Sequence, residues 1–263
     1  MPPQIQVEKA SLRRESNRFK HITMQRKRHR KSSLQQVEYD EIKAILEPFW
    51  HLFNFALEYE PRRCILYLTT IRHFIHGPSI ITQHFDPTVE DGKYIASAGA
   101  LTYPTGTPKT IRRQSNKYSY CDTSIRIFLT YLLPALKMIG ANIEWHTVIS
   151  NPKIVFHYST SKPVPKVRHS VFLITSKTGQ QFVADFTIEQ FGFKPQMWFM
   201  KKEGYVRKCT LDEPVSKPTV KELEQARHGV FNEIVWVGCL VRYVCENGEL
   251  WMWERLDSKS RMR

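Results

Sequence analysis

Residues Arg168 to Phe193, RHSVFLITSKTGQQFVADFTIEQFGF, decide how this chain is expected to fold. The stretch contains two runs rich in β-branched and aromatic residues, separated by a short loop that includes Gly179. Two such runs around a Gly-containing loop predict a β-hairpin. His169 begins the first predicted strand and Asp185 ends the second, so pairing of the strands places these two residues at the same end of the hairpin.

The expected contact between His169 and Asp185 has a chemical meaning. An imidazole held by a carboxylate is the base-and-orienter half of a nucleophilic triad, in which a third side chain is the nucleophile. A His and an Asp also flank hairpins that carry no chemistry, so this spacing alone leaves a structural role open. A nucleophile elsewhere in the chain would favour the catalytic interpretation.

The segment from Cys121 to Gly140 predicts a helix that could carry this nucleophile. Its apolar residues recur with helical spacing, and Gly140 is typical of a helix end. Cys121 stands at the predicted N-terminus, where the helix dipole and a neighbouring imidazolium both favour a thiolate. Cys64 is a rival nucleophile near the start of another predicted helix, but the surrounding core residues favour a buried structural thiol there.

The order Cys121, His169, Asp185 resembles the papain-like superfamily, in its transglutaminase-core and arylamine N-acetyltransferase-like branches. The segment from Asp185 to Gly192, DFTIEQFG, is also similar to an ending found in many uncharacterised fungal proteins with this core. The resemblance implies that Cys121 is the nucleophile, His169 the general base and Asp185 the residue that orients the imidazole. It further implies that a Gln shortly before the nucleophile donates to the oxyanion hole, and Gln114 stands at that distance.

The expected fold class is α+β, a papain-like core whose nucleophile helix packs on an antiparallel sheet. Residues 34–263 are predicted to form this single domain. Helical spacing predicts one helix from Tyr39 to Tyr59 and a second from Pro61 to Ile75. Residues 78–120 are rich in Pro, Gly, Thr and Ser, so they are expected to form a long loop with one short strand near Tyr94–Ala98.

Positive charge is concentrated at the N-terminus. The formal charge of the chain is +14, and residues 9–31 hold ten Lys and Arg residues against one Glu. Few large apolar residues occur here, so residues 1–33 are predicted to be a disordered basic tail. The run Arg26–Lys31 could be a nuclear-import signal or make a weak nucleic-acid contact, and a solvated tail without either role is the alternative.

Composition argues against a membrane protein, a disulfide-stabilised protein and a metal-binding protein. No apolar run reaches the length that a membrane helix needs and no signal-peptide core is present, so an intracellular protein, cytoplasmic or nuclear, is expected without membrane contact. The five cysteines follow no disulfide framework and are expected to be thiols. His73 and His76 lack a third ligand at a recognisable spacing, so we expect no metal and no other cofactor. The oligomeric state is left open.

The leading hypothesis is a cysteine hydrolase or acyltransferase that acts on a small-molecule or peptide substrate. Two alternatives remain. A catalytically silent scaffold of the same fold is supported by missing flanking motifs, because neither the Arg-Gly-Gly run of arylamine acetyltransferases nor the Trp that follows the nucleophile in papains adjoins Cys121. A nuclear or nucleic-acid-associated protein is supported by the basic tail.

Overall fold

The computed structural model of the chain describes residues 34–60, 62–63, 65–71, 77–85, 96–97, 102–158, 166–211, 216–220 and 236–247. The chain divides into two compact units, residues 1–44 and 45–263, and the boundary lies within the first helix. The described part of the first unit is helical throughout. The second unit contains every other described element.

In the second unit the described helices and strands come in groups along the chain rather than in strict alternation. The helices are α1 (34–59, shared with the first unit), α2 (Lys109–Lys117), α3 (Cys121–Met138), α4 (Lys202–Cys209) and α5 (Trp236–Glu246). The strands are β1 (Arg62–Arg63), β2 (Ile65–Ile71), β3 (Ser79–Phe85), β4 (Ala96–Ser97), β5 (Asn142–Ile149), β6 (Ile154–Tyr158), β7 (Arg168–Thr175), β8 (Gln181–Ala184) and β9 (Phe199–Lys201). Two 3-10 helices cover Ile188–Phe191 and Pro195–Trp198. The protein is therefore of mixed α and β class.

The principal sheet is antiparallel, with strand order β5-β7-β8-β9. Its centre is the predicted hairpin, which is confirmed: β7 and β8 pair with Phe172 opposite Ala184. Gly179 in the connecting turn has a φ of +84°, a backbone conformation that a residue with a Cβ adopts only with strain. Strand β7 is buried along nearly its whole length, so the sheet is covered on both faces.

The predicted helix α3 is also confirmed, and it packs on strands β5 and β7. Phe128 of α3 is fully buried, with its ring edge-on to those of Phe53 and Phe186 at centroid distances of 5.7 and 5.4 Å. Each buried aromatic of this size contributes about 2–3 kcal/mol through removal of apolar surface from water. The N-terminal end of α3 is held at the start of β7 by the hydrogen bond from Ser170 to Asp122.

Two predictions in the first half of the chain are wrong. The segment expected to be a helix from Pro61 to Ile75 contains strands β1 and β2 instead. Residues 65–71, ILYLTTI, are rich in β-branched residues, and an apolar run this short fits a strand as well as a helix. Pairing of β2 with β3 decides between the two.

The second wrong prediction is the long loop over residues 78–120, which contains β3 and α2. Strand β3 pairs in parallel with β6, giving a three-stranded sheet of order β2-β3-β6. This partner lies far along the chain, so the local sequence carries little sign of the pairing. The short strand expected near Tyr94–Ala98 is present as β4, which pairs with β1.

Several predicted features lie outside the described residues. They are the basic tail 1–33, Cys64, His73 and His76. Within the described part of the chain, none of the helices combines the length and apolar composition that crossing a bilayer requires.

Candidate functional site

The structure brings His169 and Asp185 together at one end of the hairpin. In the register of β7 and β8, Asp185 follows the last paired residue of β8 and lies diagonally across from His169. Nε2 of the imidazole is 2.8 Å from Oδ2 of the carboxylate, and both side chains are fully buried. Because the carboxylate accepts from Nε2, the other ring nitrogen, Nδ1, is the one available for proton transfer.

Asp185 receives hydrogen bonds from two further residues. The Tyr205 hydroxyl on α4 donates to Oδ2 over 2.7 Å. Oδ1 accepts from the backbone N–H of Thr187 over 3.0 Å and from the hydroxyl of the same residue over 3.3 Å. With the imidazole, four donors surround one buried carboxylate, which is what a buried charge requires. Asp185 is therefore held in a fixed orientation.

The environment of His169 favours the imidazolium. Burial lowers the pKa of His169, but the charge and hydrogen bond of Asp185, together with smaller contributions from Cys121, raise this pKa to about 10. Burial also raises the pKa of Tyr205 well above its usual value, and the neighbouring Asp185 raises it further. Tyr205 therefore remains a neutral donor at physiological pH.

Cys121 is the first residue of α3 and is half-buried. Its thiol donates to Oδ1 of Asp122 over 3.7 Å. That carboxylate also accepts from the hydroxyl of Ser170, and Ser170 accepts from the indole N–H of Trp145 over 2.9 Å. This chain of hydrogen bonds fixes the start of α3 against β5 and β7. The contribution of Cys121 to the pKa of His169 shows that the thiol lies close to the imidazole.

Cys121 opens onto a cavity of about 530 Å³. Its walls come from the segment before α3, from strand β6, from the start of β7 and from the first 3-10 helix. The lining residues are Tyr118, Ser119, Cys121, Asp122, Ile154–Tyr158, Lys166–Arg168, Gln190 and Phe191. The walls are mainly apolar and aromatic, with basic side chains from the segment 166–168. A cavity of this size holds a small organic molecule or part of a peptide.

The 3-10 helix Ile188–Phe191 contributes two side chains that sequence reasoning did not assign to the site. The Phe191 ring lies edge-on against the imidazole of His169, with centroids 4.7 Å apart. The side-chain amide nitrogen of Gln190 lies 3.5 Å from Nδ1 of His169. Both residues belong to the DFTIEQFG segment, so the resemblance carried by that segment was the available signal.

A buried ion cluster fixes this 3-10 helix to α2. Glu189 pairs with Lys117 and, over 3.0 Å, with Arg113. Burial lowers the pKa of Lys117, and the charge of Glu189 opposes this effect. The Lys117 side chain also lies over the Trp50 ring, 5.7 Å from its centroid. The cluster places the two residues that follow Glu189, Gln190 and Phe191, against the imidazole.

Gln114 is not brought to the site. It lies on α2, is not among the described residues that line the cavity of Cys121, and its Oε1 is buried without a hydrogen-bond partner. The geometry therefore gives no support to its predicted role in an oxyanion hole.

The environments of Cys209 and Cys245 disfavour the thiolate form that a nucleophile requires. Burial raises the pKa of Cys209 to about 12 and that of Cys245 to about 12. Cys239 is exposed on α5. Of these described thiols, Cys121 is the one that adjoins a buried imidazole.

A comparison of the chain with protein-family models, curated proteins and solved structures found no match. Among the residues that the structure describes, no group of three or more His, Cys, Asp or Glu side chains could hold a metal ion. The site is therefore characterised by its own geometry: a thiol at a helix start, a buried imidazole–carboxylate pair and an adjoining cavity.

Proposed function

We propose that this protein is a cysteine-dependent acyl-transfer enzyme with a papain-like core, in which Cys121 is the nucleophile, His169 the general base and Asp185 the residue that orients the imidazole. The observation that carries the proposal is the buried contact of 2.8 Å between His169 and Asp185 next to the half-buried thiol of Cys121. The order of α3, β7 and β8 along the chain supports the papain-like proposal, because a helix with Cys121 precedes a hairpin with His169 and Asp185.

The chemistry follows from these three side chains. Nδ1 of His169 takes the proton of the Cys121 thiol, and the sulfur attacks a substrate carbonyl, so that a C–S bond forms and the π electrons of the carbonyl move to its oxygen. The bond to the leaving group then breaks as the imidazolium of His169 gives up its Nδ1 proton to that group, which leaves a thioester. Water or an amine gives a proton to Nδ1 of His169 and attacks the thioester, the C–S bond breaks with release of the acyl product, and His169 returns the proton to the sulfur of Cys121.

The cavity supports a small acyl substrate. Its volume of about 530 Å³ falls within the range of small-molecule sites, and the aromatic rings of Tyr118 and Phe191 offer an apolar surface to an acyl group.

A second candidate function is the catalytically silent scaffold, which one contact favours. The thiol of Cys121 donates to Oδ1 of Asp122 over 3.7 Å, so this carboxylate competes with the imidazole of His169 for the hydrogen bond of the thiol. In this alternative the cavity binds a ligand or a partner without covalent chemistry.

Acylation of the protein by p-nitrophenyl acetate separates the two candidates. The proposal predicts release of about one p-nitrophenolate per protein in a rapid phase, with an acetyl group found on Cys121 by mass spectrometry. The Cys121→Ser variant should lose the rapid phase and keep the unfolding curve of the wild type. The Cys239→Ser variant is the matched control, and it should keep the rapid phase. Absence of an acetyl group on Cys121 would favour the silent scaffold.

A further inference from the structure

Gln190 is a buried residue that lines the cavity and lies close to the imidazole of His169. It lies in the 3-10 helix Ile188–Phe191, its residue exposure is only 4%, and it lines the same cavity as Cys121. Its amide nitrogen is 3.5 Å from Nδ1 of His169, at the long limit of a hydrogen bond. Gln190 therefore adjoins both Nδ1 of the buried imidazole and the cavity, whereas His169 itself is not among the described residues that line the cavity.

The protonation of the imidazole limits what this amide can bind. With Nε2 donating to Asp185, an imidazolium also carries a proton on Nδ1. An amide N–H cannot donate to a nitrogen that bears a proton, so beside an imidazolium the N–H groups of the Gln190 amide are available to an acceptor in the cavity.

The proposed acyl transfer supplies such an acceptor. When the sulfur of Cys121 attacks a carbonyl, negative charge develops on an oxygen next to the sulfur. The first N–H groups of a helix have no acceptor within the helix, so the backbone N–H of Cys121 at the start of α3 is one donor for this oxygen. Two donors are typical of an oxyanion site, and the side chain of Gln114 does not line the cavity.

We infer that Gln190 is a catalytic residue, whose side-chain N–H stabilises the oxyanion formed on attack by Cys121. This inference rests on the proposed function. The inference replaces Gln114, which precedes the nucleophile, with Gln190, which follows Asp185, as the side-chain donor to the oxyanion. The ion cluster of Glu189 with Lys117 and Arg113 holds the 3-10 helix in place, so the donor is fixed before substrate binds.

Two reactions of the same thiol test this role. Alkylation of Cys121 by iodoacetamide forms no oxyanion, whereas acylation by p-nitrophenyl acetate does. The Gln190→Ala variant should therefore lose roughly 100-fold in the rate of acylation, the usual effect of removing one oxyanion donor. Its rate of alkylation should stay within about 3-fold of the wild type, because the thiol and imidazole are unchanged.

The Gln190→Glu variant separates oxyanion binding from a role in positioning the imidazole. A carboxylate has no N–H to donate but accepts well from an Nδ1 proton. Oxyanion binding predicts that Gln190→Glu is acylated as slowly as Gln190→Ala, and positioning predicts that Gln190→Glu retains acylation. The matched control is Gln114→Ala, which should keep both rates.

The outcomes are distinct. Equal losses of acylation and alkylation in Gln190→Ala, or an unchanged rate of acylation, would overturn the inference and leave the proposed function in place. A wild-type protein that is not acylated on Cys121 at all would overturn both.

Discussion

Tyr205 and His169 share one acceptor, because Oδ2 of Asp185 lies 2.7 Å from the Tyr205 hydroxyl and 2.8 Å from Nε2 of His169. The two donors come from different elements, α4 and β7, so this carboxylate oxygen joins the helix to the sheet. All three side chains are buried. The contact therefore serves stability and orients the imidazole at the same time.

Removal of the phenolic hydroxyl tests the first of these roles. The Tyr205→Phe variant keeps the ring but takes one donor from a buried carboxylate, so the free energy of unfolding should fall by about 2 kcal/mol. Urea unfolding followed by circular dichroism measures this change. The Tyr243→Phe variant, at a side chain that is 57% exposed, should change stability by less than about 0.5 kcal/mol. Equal stabilities of Tyr205→Phe and wild type would contradict the shared contact.

The raised pKa of His169 predicts how stability depends on pH. The pKa is about 10 in the folded protein and 6.5 in an unfolded chain, so between these values the folded state binds more protons. This stabilisation is complete below pH 6.5 and is lost as the pH rises through 10. The free energy of unfolding of the wild type should therefore fall with rising pH, relative to the His169→Gln variant.

The measurement is best made between about pH 6.5 and 8.5, because the raised pKa values of Cys209 and Cys245 begin to matter above their unfolded value of 9.0. Lys117, with its lowered pKa, acts in both proteins and cancels from the difference. A stability difference between wild type and His169→Gln that does not change over this interval would show that the folded imidazole is not charged.

The ion pair of Lys117 with Glu189 is buried, with side-chain exposures of 2% and 5%. The Glu189→Leu variant leaves the Lys117 ammonium without its carboxylate, and the free energy of unfolding should fall by about 3–5 kcal/mol. The double variant Lys117→Met/Glu189→Leu removes both charges and should recover most of this loss. A double-mutant cycle in urea measures the coupling, and independent, additive effects would contradict a direct pair.

Ser170 links Asp122 to the indole of Trp145. The Ser170→Ala variant leaves the buried N–H of Trp145 without an acceptor, which should lower the free energy of unfolding by about 1–3 kcal/mol. Ser150 is the matched control, since its buried hydroxyl has no hydrogen-bond partner and Ser150→Ala should be neutral or stabilising. Similar losses in the two variants would mean that the hydrogen-bond chain has no special role in stability.

The parts of the fold that sequence predicts are those with local patterns. The β7–β8 hairpin and helix α3 each lie within one short stretch, and their periodicity shows in the residues themselves. The parallel pairing of β3 with β6 joins distant stretches, so nothing near β3 indicates it. Strand β2 was misassigned because seven residues are too few to separate helical from strand periodicity.

In the candidate site, too, local sequence patterns predict some contacts and not others. The contact of His169 with Asp185 follows from hairpin pairing and could be expected. Tyr205 could not, because its helix is separated from the hairpin by the two 3-10 helices and nothing in its sequence spacing predicts the contact with Asp185. Gln114 was assigned by its distance from Cys121 along the chain, but α2 carries its side chain elsewhere.

The most direct test of the account is the rate of iodoacetamide alkylation at each of the five cysteines at about pH 6, followed by mass spectrometry in wild type and in His169→Gln. We predict that Cys121 reacts fastest, ahead of the exposed Cys239, because the proposed role of His169 is to activate the sulfur of Cys121. The His169→Gln variant should lose this advantage at Cys121 and leave Cys239 unchanged. A Cys121 that reacts no faster than Cys239, or equally fast without His169, would contradict an activated nucleophile.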